Sequence, residues 1–170
     1  VMSNMSITPE RSEKAYFAGP YMMTGKSILT RSSVLAQVES TGAINRADLK
    51  IAAIANSTSA TFAQENTPEA ELTTTATSDE AVALLIAGKV DAVLADMAVC
   101  KLAVLRNPES GLVTLKKPLT MEPVGIAIKA DDRQLQNLID NFMDAFGKTG
   151  VLGQLRKKWF ENGDWVAALP

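Results

Sequence analysis

The run Val90-Asp91-Ala92-Val93-Leu94-Ala95-Asp96 (VDAVLAD, residues 90–96) is an apolar strand that stops on a carboxylate. A second run, Lys50 to Asn56 (KIAAIAN), stops on Ser57-Thr58-Ser59 and leads into ATFAQEN, which has the character of a helix start. Open α/β sheets bind ligands beyond the carboxyl ends of their strands. A strand-terminal Asp96 there is placed to meet a cation, and the exposed N–H groups of a helix beginning near Thr58 form an anion site. Arg11 and the Ser57–Thr58 turn can be set opposite Asp96. One acceptor for ammonium and one for carboxylate together describe a site for a zwitterion, and an amino acid is the simplest such ligand.

Composition narrows the field. The 170 residues are 46% apolar and 21% charged, an ordinary globular composition that can bury a core as one domain or two small lobes. Seventeen basic and nineteen acidic side chains give net −2, so no nucleic-acid or other polyanion partner is implied. Arg156-Lys157-Lys158 is the one dense basic run, and it has the look of a solvated helix face. A single cysteine, Cys100, permits no internal disulfide, and its apolar surroundings suggest a buried free thiol. The chain has no histidine, which removes Ser-His-Asp, Cys-His and HExxH chemistry and disfavours zinc. No cofactor or metal site is expected. No apolar run approaches the ~18 residues that cross a bilayer. Val1-Met2-Ser3-Asn4 shows neither a charged nor an apolar leader, so any sorting segment is expected to have been processed away.

Outward from the two deciding runs, strands and helices alternate. Thr8, Pro9 and Glu10 mark a helix start, and Tyr16–Tyr21 is extended, with Gly19-Pro20 excluding helix. A strand follows over 26–33. Glu71–Thr75 is a short β-rich run, and Ser78 caps a helix that ends at Gly88. A helix over 96–106 stops at Asn107-Pro108, and further strands are expected at 112–115 and 123–129. Leu135, Leu138, Ile139, Phe142, Met143 and Phe146 form one helical stripe, for which core packing is a complete explanation. Val151, Leu152, Leu155 and Trp159 give a last helix ending near Gly163. This alternation argues for α/β units with a mostly parallel sheet.

Ser3, Ser6, Thr8 and Arg11 gather at the first strand–helix junction, where a guanidinium can grip a carboxylate with two parallel hydrogen bonds. Bland readings stand beside each candidate. Arg11 can pair with Glu10 or Glu13, while Thr58 and Asp96 can each be plain N-caps. Glu122, before the strand PVGIAIK, is an acid or base, a partner for a cationic ligand side chain, or an exposed hinge carboxylate. Lys26 is a contact for a ligand carboxylate or a solvated strand end.

Together, the segments MSITPERSEKAYFAGPY (5–21), MTGKSILT, ADLKIAAI, DEAVALLIAGKVDAVLAD, PLTMEPVGIAIK and GVLGQLRKKWF resemble the extracellular solute-binding proteins of family 3. These are polar amino-acid receptors of ABC importers. The resemblance implies a periplasmic type II fold of two hinged lobes. Lobe 2 would be 26–119, lobe 1 would be 1–20 plus 125–170, and hinge strands would lie near 21–25 and 120–124. It also implies that Ser6 and Arg11 hold the ligand α-carboxylate, that Thr58 adds an N–H and a hydroxyl, and that Asp96 receives the α-ammonium. Asn4 falls where a backbone carbonyl meets that ammonium. The implied function is binding of a polar or charged amino acid and its delivery to an ABC transporter permease, in a periplasmic or extracellular setting. Rival expectations are a cyclohexadienyl dehydratase-like enzyme, with Glu122 or Lys26 as suspects, and the ligand-sensing domain of a membrane receptor. The turn Asn56-Ser57-Thr58-Ser59 departs from the family's usual Gly-Thr turn. Family members also carry strands and a helix ahead of the position matched by Val1. A shortened chain with an incomplete lobe 1 is therefore expected, completed by oligomerisation or strand exchange.

Overall fold

The computed structural model describes residues 1–161 and Trp165. The chain divides into two compact units: 1–24 with 121–170, and 25–120. In unit 1, Thr8 caps the short helix α1 (Pro9–Ser12) by accepting a hydrogen bond from the Arg11 N–H at 3.3 Å, with Pro9 in the first turn. Strands β1 (Met5–Ser6) and β2 (Tyr16–Thr24) both pair antiparallel to β8 (Glu122–Ile128), in the order β1-β8-β2. The Gly19–Pro20 bond is cis, and the β2–β8 register shifts between Ala18 and Met22.

Unit 2 holds a five-stranded mixed sheet. Its strands are β3 (Lys26–Thr30), β4 (Lys50–Ile54), β5 (Glu71–Thr75), β6 (Ala92–Asp96) and β7 (Val113–Thr114), in the order β5-β4-β6-β3-β7. The parallel part is β5-β4-β6; β3 runs antiparallel to both β6 and β7. The interleaved helices are α2 (Thr58–Asn66), α3 (Ser78–Ile86) and α4 (Met97–Arg106). Thr77, one residue earlier than expected, is the N-cap of α3, its hydroxyl accepting from the Glu80 N–H.

Both faces of this sheet are covered at its centre, which explains why β4 and β6 are apolar runs rather than alternating. On one face Ile28, Ile51, Ala92 and Leu94 pack with Ala63 of α2 and with Ile44 and Leu49 of the preceding loop. On the other, Leu29, Ala52, Val93 and Ala95 pack with Ala81 and Leu85 of α3 and Cys100 and Ala103 of α4. Cys100 is a buried free thiol whose ionisation is pushed up to about 12, chiefly by desolvation.

Unit 1 contrasts with this. Helix α5 (Arg133–Lys148) carries the expected apolar stripe, capped by Asp132. Core packing does not account for that stripe: Leu135, Leu138, Phe142 and Phe146 are 38–53% exposed, and none of the helix's residues is buried. Tyr16 of β2 donates a hydrogen bond to Asp140 of α5. Three strands offer the stripe too little surface to cover it. Burying such a side chain stabilises by roughly 1.5–3 kcal/mol, and here about half of that is unrealised. Helix α6 (Val151–Arg156) continues into a π-helical turn over Lys157–Glu161. The helix end expected near Gly163 lies outside the described residues.

Gly25 joins β2 to β3 where no side chain fits: a Cβ there would stand 1.8 Å from the Thr120 carbonyl oxygen, a backbone atom. Gly25→Ala should therefore destabilise unit 2 by about 2 kcal/mol or more, read as a lower urea midpoint. An unchanged midpoint would show that the two segments separate freely.

Candidate functional site

In unit 2 the chain order sets the site. From β4 the chain passes through α2 to β5 on one side, then through α3 to β6 on the other side of β4. Adjacent parallel strands whose connections leave in opposite directions form a topological switch point, the place where open α/β sheets accept ligands. Thr58 follows the carboxyl end of β4 and Asp96 is the last residue of β6, so the two flank that switch point.

Neither Thr58 nor Asp96 is a simple cap. Ser57 is the N-cap of α2, its hydroxyl accepting from the Ala60 N–H at 3.2 Å and donating to the Ile54 carbonyl at 2.6 Å. That leaves the Thr58 hydroxyl to act elsewhere. Asp96 stands at the N-cap of α4 but makes no side-chain cap bond. Both turn to Lys26 instead. The Lys26 ammonium donates to Asp96 Oδ1 at 2.6 Å and to Thr58 Oγ1 at 2.7 Å.

Lys26 is not a solvated strand end: the residue is 1% exposed and its partner Asp96 is 8% exposed. The pairing follows from strand register. Lys26 lies directly across from Asp96 in the antiparallel β3–β6 ladder, as Ile28 lies across from Leu94 and Thr30 from Ala92. Opposed side chains on one face approach within about 5 Å at their Cβ atoms. The Lys26 backbone is fixed as well, its N–H donating to Thr120 Oγ1 at 2.8 Å and its carbonyl accepting from the Leu119 N–H at 2.7 Å. This ion pair is the feature that sequence reasoning missed. Its signal was a lysine opening the otherwise apolar strand KSILT, but the register with β6 is a tertiary fact.

In unit 1 the other candidates gather around β1. Ser6 is buried and its hydroxyl donates to Glu122 Oε2 at 3.0 Å, so Glu122 is tied into the unit rather than left as a loose hinge carboxylate. Arg11, half-buried, donates from Nη1 to the Ser6 carbonyl at 2.8 Å, and neither Glu10 nor Glu13 is its partner there. Asn4 has a left-handed backbone, φ 55°, and its backbone hydrogen-bonds Tyr21. Burial raises the Tyr21 hydroxyl above its ordinary range, and the Asn4 bond opposes that in part. Ser6, Arg11, Glu122 and Asn4 thus belong to one unit, and Thr58, Asp96 and Lys26 to the other. Among the described residues no cluster of His, Cys, Asp and Glu is suited to a metal ion, and no helix is long and apolar enough to cross a membrane.

The family model for bacterial extracellular solute-binding proteins, family 3, matches residues 1–162, and the chain belongs to that family. It is 29% identical over 163 residues to the ABC transporter glutamine-binding protein GlnH of Bacillus subtilis, covering 95% of this chain and 58% of the relative. The chain thus spans little more than half the length of that protein. A binding component of an ABC transporter from Wolinella succinogenes, solved in complex with lysine, superposes with TM-score 0.86 at 28% identity, covering 97% of this chain and 71% of the other. The ancestral amino-acid-binding protein AncCDT-1, described as a precursor of cyclohexadienyl dehydratase, superposes with TM-score 0.79 at 32% identity, covering 94% and 68%. The fold is accordingly the type II periplasmic binding-protein fold.

A buried ion pair that loses one partner leaves an uncompensated charge, at a cost of about 3–5 kcal/mol, whereas apolar replacement of both is often neutral. Lys26→Met should therefore lower the melting temperature of the chain by roughly 6–20 °C. Lys26→Met/Asp96→Leu should recover most of that loss. Calorimetric melts of the three proteins decide it, and a mild single variant with a worse double one would refute the pairing.

Proposed function

We propose that this chain binds a polar or charged amino acid, or a close carboxylic-acid relative, and hands it to an ABC transporter permease outside the cytoplasmic membrane. The observation that carries the reading is the position of Thr58 and Asp96 on either side of the switch point of unit 2, in a chain of family 3. Arg11 takes the ligand carboxylate, aided by Ser6. Thr58 adds its N–H and hydroxyl to that carboxylate, Asp96 is the acceptor for an ammonium, and Glu122 meets a cationic side chain. The segments near 21–25 and 120–124 act as hinges, and closure is driven only by contacts that are better in the closed state. Charge-assisted hydrogen bonds contribute roughly 1.5–3 kcal/mol each, so three or four approach the ~8 kcal/mol of a micromolar complex. A thermal-shift screen over the common amino acids should give at least one saturable rise. Arg11→Met should weaken that ligand by about tenfold or more. Silence across the screen would end the reading. Incubation with prephenate or arogenate separates binding from dehydratase turnover.

A second part of the proposal concerns the uncovered face of α5. Leu138 and Phe142, about half exposed, support self-association of the chain through unit 1. Sedimentation at rising concentration should show oligomers that Leu138→Lys/Phe142→Lys reduces to monomer. A wild-type monomer throughout would contradict this.

A further inference from the structure

We infer that Lys26 is a specificity-determining residue. Its ammonium fills the corner built by Asp96 and Thr58, so unit 2 makes no demand for an α-amino group and the chain takes carboxylic acids with or without one. This rests on the proposed function for the ligand, but the filled corner is a property of unit 2 alone.

Four observations carry it. First, the Lys26 ammonium meets a carboxylate oxygen at 2.6 Å and a hydroxyl oxygen at 2.7 Å, the donor–acceptor distances of charge-assisted hydrogen bonds. Second, the site is positioned as a ligand site rather than as a surface ion pair: it flanks the switch point and its lysine is 1% exposed. Third, both acceptors are released for this task by local structure. Ser57 does the capping that Thr58 would otherwise do, and Asp96 leaves the α4 terminus uncapped. Fourth, the lysine is held at its root. Its N–H and its carbonyl are both hydrogen-bonded to the segment 119–120, and Gly25 before it has no room for a side chain. A second ammonium brought to Asp96 would meet one already in place, and like charges at that separation repel about as strongly as the carboxylate attracts. The amino group of a ligand is then nearly worthless to unit 2.

The test uses the full chain. Lys26→Ala removes three carbons and the nitrogen, the atoms of propylammonium. Propylammonium chloride should raise the melting temperature of Lys26→Ala saturably and leave the wild type unmoved, and tetramethylammonium chloride should be without effect on either. If Lys26→Ala is unfolded by itself, propylammonium must restore a cooperative melt. Absence of a saturable effect in either case overturns the inference.

A second measurement reads specificity, which a merely structural ion pair would not move. Each amino acid that binds is compared by calorimetry with its 2-oxo acid. In the wild type the two should agree within about tenfold, and Lys26→Met should shift the ratio toward the amino acid by about tenfold or more. A wild type that prefers the amino acid by far more than this, with Lys26→Met unchanged, overturns the inference while leaving the proposed function intact. Amine rescue without binding of any acid would remove the amino-acid reading and leave the filled corner standing.

Discussion

A lysine ammonium and an aspartate carboxylate are buried against each other at the switch point of unit 2, and the rest of that unit is arranged so that they can be. Taking both ions from water costs several kcal/mol each, and their mutual attraction repays this only with close geometry and further hydrogen bonds. At 4 Å and an effective dielectric of 20 a unit pair is worth about 4 kcal/mol. Contact at 2.6 Å, with Thr58 as a second acceptor, supplies that geometry. Register between β3 and β6 delivers the two side chains to the same face, and register in turn is fixed because a slip of one residue would turn Ile28 and Leu94 away from their core. The apolar packing of the sheet thus sets the position of the charges.

The two units spend their apolar residues differently. Unit 2 covers its sheet on both faces, and the large side chains Ile28, Leu29, Ile51 and Leu94 are fully or almost fully withdrawn from water. Among its described residues, unit 1 has three strands and one long amphipathic helix with four exposed residues on its apolar stripe. Among the described residues, the buried apolar side chains of unit 1 are few: Ala18, Met22, Val124 and Ile128. Unit 1 also has specific polar ties: Tyr16 to Asp140, Ser6 to Glu122, and Arg11 to the Ser6 carbonyl. These ties hold candidate ligand groups in place, but they also occupy them.

Much of this was legible in the residues, and the reasons are local. VDAVLAD and KIAAIAN announce buried strands because parallel strands covered on both faces are apolar throughout. Thr8-Pro9 and Asp132 announce helix starts because backbone N–H groups there need acceptors. The stripe on α5 was equally plain, but periodicity reports only that one face is apolar, not whether anything covers it. Lys26 was misjudged for a related reason. A charged residue beside a glycine at a strand start is usually solvated, and only the long-range β3–β6 register brings a carboxylate opposite. The cap of α3 moved from Ser78 to Thr77 because adjacent hydroxyls compete and propensity does not choose between them.

An ammonium tethered to the protein differs from one carried by a ligand in a way that bears on closure. The tethered group has given up its rotational freedom on folding, so its hydrogen bonds to Asp96 and Thr58 need no ligand to form. Interactions that are equally good in both states cannot shift an equilibrium between them. On the proposed reading, a conformational response to ligand would therefore draw on groups that the ion pair of unit 2 leaves unused. On the proposed reading the carboxylate falls to Arg11, whose guanidinium is half-buried and holds the Ser6 carbonyl with Nη1. A planar fork with five donors can keep that bond and still present a carboxylate with the geometry it requires.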